Sequence, residues 1–273
     1  MTFKQSMVRY LPPQFIHWGK WLSDPSYRRK SGHLARLRSV PRYHPATTEI
    51  LGKPLELVDS SSFIWMYHEI FEREIYRFRA NTENPYIIDC GANIGLSVLY
   101  FKRLYPHSHI VAFEPDEAIF AVLARNIKNQ DCADVELHCR AVWQAETTMS
   151  FAGDAADAGR LSRAGEAGNK SVRTVRLRDY LGRPVSLLKI DIEGAETLVL
   201  EDCVDLLGNV DNLFVEYHSL VDEPQTFHSL LAILAGAGFR VHLHPENISP
   251  QPFLERNAPT QMDMQLNIFA FRE

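Results

Sequence analysis

From Tyr86 onward the chain alternates short apolar runs with helix-patterned segments, and this rhythm limits its possible folds more than any other feature. Tyr86-Ile87-Ile88-Asp89-Cys90 reads as a strand, Gly91 to Gly95 as a turn, and 96–105 as a helix. Residues 109–113 form the next strand, 116–129 a helix, and 135–142 a third strand. Two more strands, 187–191 and 213–216, are separated by a helix near 194–203, and another helix follows near 225–236. Residues 239–243 and 266–271 complete the set as strands. Strands that alternate with helices predict a mainly parallel sheet covered on both faces.

Ahead of this region, Phe63, Ile64, Tyr67, Ile70, Phe71, Glu74, Ile75 and Phe78 recur at three- and four-residue spacing. They predict a helix over 62–78 with Ser61 or Ser62 as its N-cap, ended by Asn81-Thr82-Glu83-Asn84-Pro85. Earlier still, residues 1–48 hold nine basic side chains and one acid, whereas the other 225 residues hold 20 basic and 33 acidic ones. The overall charge of −5 is therefore a near-cancellation of two unlike parts. Five prolines (12, 13, 25, 41 and 45) argue against a long helix in the first part, and its aromatic residues argue for short helical pieces wrapped on the main body. This packed, solvated arm is preferred to a nucleic-acid grip. Residues 152–170 are ten-nineteenths Ala or Gly without periodicity and read as a mobile surface loop.

The 273 residues suffice to bury a core without staples. Cys90, Cys132, Cys139 and Cys203 are scattered and form no C-x-x-C pair, which reads as reduced thiols in a cytoplasmic protein. No apolar run reaches membrane-spanning length, and the first residues lack the core of a signal peptide.

Chemistry concentrates at the predicted carboxyl ends of the strands. In Asp89-Cys90-Gly91-Ala92-Asn93-Ile94-Gly95 a strand runs through a glycine-bounded turn into a helix, where backbone N–H groups can approach a ligand. Glu114, nineteen residues past Gly95, ends the next strand and is placed to accept hydrogen bonds from ribose hydroxyls. The dinucleotide pattern G-x-G-x-x-G is absent, which disfavours an oxidoreductase. A carboxylate at Asp89 would repel a pyrophosphate but can reach the ammonium of an amino-acid moiety, which favours S-adenosylmethionine.

Asp191 and Glu193 share a face at the end of one strand, and Glu216 and His218 at the end of the next. These ends lie side by side where open α/β sheets bind ligands. Methyl transfer to a hydroxyl needs a base, and His218 is the first choice because free imidazole titrates near pH 6.5. Glu216 or Glu193 could serve instead, or orient the histidine. The same four side chains could hold a hard divalent cation, although no metal is assigned. His242 and His244 read as surface or packing residues, and Trp65, Tyr67 and His68 as core or a lid over the cofactor.

The runs Asp89 to Gly95, Phe113-Glu114-Pro115, Ala141-Val142 and Lys189-Ile190-Asp191-Ile192-Glu193-Gly194-Ala195-Glu196 together resemble the FkbM family of S-adenosylmethionine-dependent methyltransferases over roughly residues 60–220. The resemblance implies an α/β, Rossmann-like class I methyltransferase fold. Its sheet would be mainly parallel and seven-stranded, with an antiparallel last strand and helices on both faces. Residues 1–80 would form a mostly helical extension, and 81–273 the cofactor-binding domain. It further implies that Asp89, Cys90, Gly91, Ala92, Asn93 and Gly95 line the methionine end, and that Glu114 with Pro115 holds the ribose. Ala141 and Val142 would border the adenine, with Asp191 facing the sulfonium and acceptor. The expected activity is O-methylation of a small metabolite such as a sugar or polyketide. The alternatives are N- or peptide-directed methylation, or a binding module that retains the cofactor. A small-molecule acceptor is the expected partner, without nucleic acid or membrane, and the N-terminal extension could shape the acceptor pocket or join copies of the chain.

Overall fold

The computed structural model describes residues 24–153, 159–161, 170–221, 223–254 and 262–272. The start of the basic arm and most of the Ala/Gly-rich stretch lie outside the described residues. In chain order, the N-terminal elements are α1 (Pro25–Arg38), β1 (Ala46–Thr48), β2 (Leu55–Leu57) and α2 (Ser60–Tyr67). Next come β3 (Tyr86–Cys90), α3 (Leu96–Leu104), β4 (His109–Phe113), α4 (Glu117–Asn129), β5 (Val135–His138) and β6 (Ala141–Trp143). They are followed by β7 (Thr148–Gly153), β8 (Gly159–Leu161), β9 (Lys170–Arg176), β10 (Leu187–Ile190) and α5 (Glu196–Asp202). The last elements are β11 (Asn212–Leu220), α6 (Phe227–Gly236), β12 (Arg240–Ile248) and β13 (Met262–Phe271).

The main sheet has seven strands in the order β12-β13-β11-β10-β3-β4-β5. The pairs from β11 through β10, β3 and β4 to β5 are parallel, and β13 is antiparallel to both of its neighbours. Alternation along the central strands divides the apolar residues between the two faces. Ile88, Cys90, Val111, Leu188 and Val215 join α5 and α6 residues such as Val199 and Leu230 in one cluster. Ile87, Ile110, Ala112, Leu187 and Phe214 join α3 and α4 residues such as Phe101 and Leu123 in the other. That second cluster also contains Leu37, Leu55, Leu57, Phe63 and Tyr76, so the segment from α1 to residue 76 shares its core with the sheet.

Local chemistry accounts for the departures from the expected elements. Although prolines were expected to break up the arm, α1 runs for 14 residues because Pro25 stands in its first turn, where a missing N–H costs nothing. Asp24 caps that helix by accepting from the Ser26 and Tyr27 N–H groups. The cap of α2 is Asp59, whose carboxylate accepts from Ser62, rather than Ser61 or Ser62. Beyond Tyr67 the helix loosens into a π-type turn over His68–Glu72, and Glu74 adopts a left-handed backbone (φ 54°), so the predicted helix ends well before Phe78.

The expected third strand divides after His138: β6 leaves the main sheet to pair with β9 in a four-stranded side sheet with β7 and β8. Part of the stretch read as a loop is therefore strand, with β8 paired against β7. β11 runs on to Leu220, and among the described residues only β13 accompanies it beyond Val215. No described helix is long and apolar enough to cross a membrane.

Leu57→Ala removes a buried side chain from the cluster that β2 shares with α3 and the sheet. It is expected to cost about 2–5 kcal/mol and to lower the midpoint of a single unfolding transition. Denaturation followed by both fluorescence and circular dichroism checks this. An unchanged midpoint, or a separate early phase, would refute the shared core.

Candidate active site

The turn after β3 is shaped by close approach. Gly91 has φ 87°, and a Cβ there would sit 1.9 Å from the Asp191 carbonyl oxygen, so only glycine lets this turn lie against the end of β10. At Gly95 (φ 95°) a Cβ would meet the Leu123 side chain of α4 at 2.7 Å. The Gly91 and Ala92 N–H groups both donate to the Phe113 carbonyl, at 3.0 and 2.9 Å. These amides brace the turn against β4, contrary to the expectation that they face a ligand.

Glu114 occupies the end of β4, with each carboxylate oxygen fixed by a backbone donor: Asn93 N–H to Oε2 at 3.0 Å and Asp116 N–H to Oε1 at 2.9 Å. Burial pushes its carboxyl up to about 7, against the pull of those two N–H groups. Asp116 in turn caps α4 through the Ala118 N–H and pairs with Lys170 of β9, which ties the side sheet to the rim of the site.

Asp89 is fully buried. Its Oδ2 accepts from Ser97, and its Oδ1 has no hydrogen bond, only a 3.3 Å ionic contact with Lys189 Nζ. Lys189 also donates to the Gly91 carbonyl at 2.8 Å and to Asp191 Oδ2 at 3.3 Å. Burial works against this ammonium, but Asp89 and Asp191, with Tyr76 and Glu216, more than offset it and leave its pKa well above the ordinary lysine value. Asp89, expected to reach the ammonium of the cofactor directly or through water, stands behind the cavity wall with its charge held by Lys189.

A cavity of about 390 Å³ opens at the carboxyl ends of β3, β4, β10 and β11. Of the expected residues, Gly91, Ala92, Asn93, Glu114, Pro115, Ala141, Val142, Asp191, Glu193 and Glu216 line it. Asp89, Cys90, Gly95 and His218 do not. Ile119, Phe151 and Arg140 complete the end near Glu114 and Val142. At the other end the wall includes Trp65, Glu69, Ile75, Tyr76, Met262, Gln265 and Asn267, most of which sequence reasoning passed over. Trp65 is half exposed at the cavity, whereas Tyr67 is buried in the core and His68 pairs with Glu72 on the surface. His242 and His244 stand apart on β12 with ring nitrogens 3.1 Å from each other, packed near Phe269.

Behind the carboxylate wall lies a buried charge network. The His218 side chain is 1% exposed; its Nδ1 lies 2.8 Å from Glu196 Oε1, and its Nε2 lies 3.5 Å from Glu193 and 3.9 Å from Glu216. Glu196 also accepts the Gly194 N–H at 2.9 Å, which steadies the left-handed Glu193–Gly194 turn (φ 55° and 100°). Burial opposes the charged ring, but Glu193, Glu196 and Glu216 outweigh it and raise its pKa well above that of free imidazole. The three carboxylates thus favour the charged ring over the histidine titrating near pH 6.5 expected from sequence. Asp191, Glu193 and His218 each bring one atom within 4.8 Å of the others, a spacing that a cation could use. Within that cluster Lys189 Nζ lies 3.3 Å from Asp191, and His218 Nε2 lies 3.5 Å from Glu193. Glu216, which accepts from Gln265, has its carboxyl pushed up to about 8 by burial and by Asp191, against the pull of His218 and Lys189.

Residues 89–241 match the FkbM methyltransferase domain family. Methyltransferase 1 of Beauveria bassiana (strain ARSEF 2860) is 28% identical over 213 residues, covering 68% of this chain and 84% of its own length. Methyltransferase sdnD of Sordaria araneosa is 33% identical over 191 residues, covering 54% and 72% respectively. Among solved structures, the FkbM methyltransferase of Methylobacillus flagellatus KT shares 14% identity at a TM-score of 0.48, over 91% of this chain but 60% of that one. TYW2 of M. jannaschii in complex with AdoMet shares 14% identity at a TM-score of 0.46, over 85% of this chain and 87% of that one.

Lys189→Met should destabilise the fold by about 3–5 kcal/mol, because it leaves Asp89 as an unpaired buried charge. Adding Asp89→Asn should recover most of that loss. Thermal and denaturant melts of the single and double variants check it, and a single variant as stable as the wild type would refute the pairing.

Proposed function

This chain belongs to the FkbM methyltransferase family, and we propose that it transfers the methyl group of S-adenosylmethionine to a hydroxyl of a small metabolite, with Glu216 as general base. One observation carries this reading: Glu216 stands on the cavity wall with its carboxyl pushed up to about 8, so that its carboxylate, formed as pH rises through that value, is a stronger base than an ordinary carboxylate.

The residues present fit the cofactor. The cavity volume falls within the range of small-molecule sites, and its Glu114 end offers a carboxylate oriented by two backbone N–H groups for the paired hydroxyls of a ribose. Pro115, Ile119, Ala141, Val142 and Phe151 supply apolar surface for a flat base. Asn93, Gly91 and Asp191 line the methionine end beside the carboxylates. When bound, S-adenosylmethionine supplies a methyl group on a positively charged sulfur, open to in-line displacement.

The protein's remaining tasks are orientation and proton removal. Glu216 would take the proton of the acceptor hydroxyl, and bound S-adenosylmethionine would supply the methyl group, its sulfur keeping the electron pair of the broken carbon–sulfur bond. Gln265 orients the Glu216 carboxylate through its side-chain amide. His218, held charged by Glu196, offsets the negative charge of Glu193 and Glu216 without itself meeting the cavity.

Glu216→Gln should lower kcat by about 10²–10⁴-fold while leaving the calorimetric affinity for S-adenosylhomocysteine unchanged. In the wild type, kcat/KM should rise with pH through about 8, because the carboxylate is the active form, and that limb should vanish in the variant. A variant with wild-type turnover would overturn the base assignment. Glu114→Ala should weaken S-adenosylhomocysteine binding by roughly 10–100-fold, as expected for losing hydrogen bonds to a charged group. Ribose hydroxyls favour the charged carboxylate, so wild-type binding near pH 7 should also release protons, measurable by calorimetry in buffers of different ionisation enthalpy.

A further inference from the structure

Away from the cavity, two ring nitrogens converge at the edge of the main sheet. His242 and His244 stand two residues apart on β12, the outermost strand, so their side chains leave on the same face. Their Nε2 atoms lie 3.1 Å apart. His242 is exposed and His244 half-buried, and neither lines the cavity. Phe269, opposite His242 in the β12–β13 ladder, packs beside both rings, its centroid 6.5 Å from that of His242 and 5.0 Å from that of His244. A hydrogen bond between the rings accounts for the contact only in part. It makes one Nε2 the donor and the other the acceptor, and at an open edge water offers each ring the same bond, so little is gained by meeting. Two bases held this close also repel once both are protonated. The distance suits a different partner. Two metal–nitrogen bonds of about 2.0–2.1 Å that meet at roughly 90–110° hold their nitrogens about 2.9–3.4 Å apart. The observed separation falls inside that range.

We propose that His242 and His244 form a two-nitrogen chelate for a late first-row divalent cation of the zinc and copper class. Imidazole nitrogens favour these ions over magnesium and calcium, which take oxygen donors. Among the described residues no third ligand joins the pair; the group of three at ligating distance is Asp191, Glu193 and His218. Glu246, two residues further along β12, accepts instead from Asn267. Water therefore fills the remaining positions on the ion, which the edge strand leaves open. On binding, the ring that donates shifts its proton from Nε2 to Nδ1, so that both Nε2 lone pairs face the ion and two neutral imidazoles bind without net loss of a proton. In the sheet order β13 stands between this chelate and Glu216 of β11, so the ion does not touch the proton transfer proposed above.

Calorimetric titration of the full chain with Zn²⁺ alone tests the chelate, alongside His242→Gln and His244→Gln. Each variant keeps a hydrogen-bonding side chain but loses one nitrogen ligand. Zn²⁺ affinity should fall about 10–100-fold in either, no less than the loss of an outer-shell partner costs at other metal sites. Affinity for S-adenosylhomocysteine should stay at the wild-type value. Bound Cu²⁺ should show coupling to two imidazole nitrogens by electron paramagnetic resonance in the wild type, and lose that signature in both variants. An absence of saturable Zn²⁺ binding at millimolar concentration would overturn the site. So would wild-type Zn²⁺ affinity in both variants, the result expected of an ion held by Asp191, Glu193 and His218 instead. His242 is exposed, so its variant carries the test even if His244→Gln fails to fold.

Discussion

A single buried ammonium ties the architecture to the site. Lys189 of β10 is opposite Asp89 of β3 in the parallel ladder, and it reaches the Asp89 carboxylate, the Gly91 carbonyl and Asp191 at once. Removing such a charge from water costs several kcal/mol unless partners surround it, so the two carboxylates and the turn must be in place for β10 to fold beside β3. The constraint acts in both directions. Asp89 is held by Lys189, and because Gly91 must approach the Asp191 carbonyl, the turn can carry no side chain there. The Asp191 N–H closes the arrangement by donating to the Cys90 carbonyl at 3.1 Å. The floor of the cavity is therefore a locked junction of two strands and a turn, with the other lining groups arranged around it.

Charge around that junction is graded. Glu114 is held by backbone dipoles alone, Asp191 by one ammonium, and Glu216 by a neutral amide with an imidazolium behind it. This grading separates two jobs that a carboxylate can do in a methyltransferase. A group fixed by two N–H donors is oriented to receive hydroxyls, whereas one crowded by Asp191 and only partly offset by His218 has raised proton affinity. Burial of His218 behind the wall explains why the imidazole is better suited to tuning its neighbours than to exchanging protons with an acceptor.

The repeating strand–helix order, the glycine turn and the acids at the strand ends were legible in the sequence because each is a local pattern with a local cause. Glu114, Asp191, Glu193 and Glu216 do line one cavity. What misled the reading was pairing across distance. Asp89 looks available until Lys189, one hundred residues later, is placed against it. His218 looks like a free imidazole until α5 brings Glu196 to its other nitrogen. Likewise, 135–142 reads as one strand, and only the partnership of β6 with β9 shows that Ala141 and Val142 belong to a different sheet. Periodicity carries no information about which charges will meet, and those meetings decided every role that changed.

The cavity wall on β13 shows the same limit and also how the fold overcomes it. Along β13, Leu266, Ile268 and Ala270 are buried in the cluster with α5 and α6, whereas Gln265 and Asn267 turn to the opposite face and reach the cavity. One alternation therefore both seals the core and presents polar groups beside Glu216 and His218. A slip of a single residue in the β11–β13 register would turn both amides to the core face and the aliphatic row away from it, so core packing enforces the placement of this cavity wall. The extension of β11 beyond Val215, where among the described residues only β13 accompanies it, depends on the same register. The antiparallel strand is thus what lets a parallel sheet carry Glu216 past its own edge and into the cavity, with amides aligned beside it.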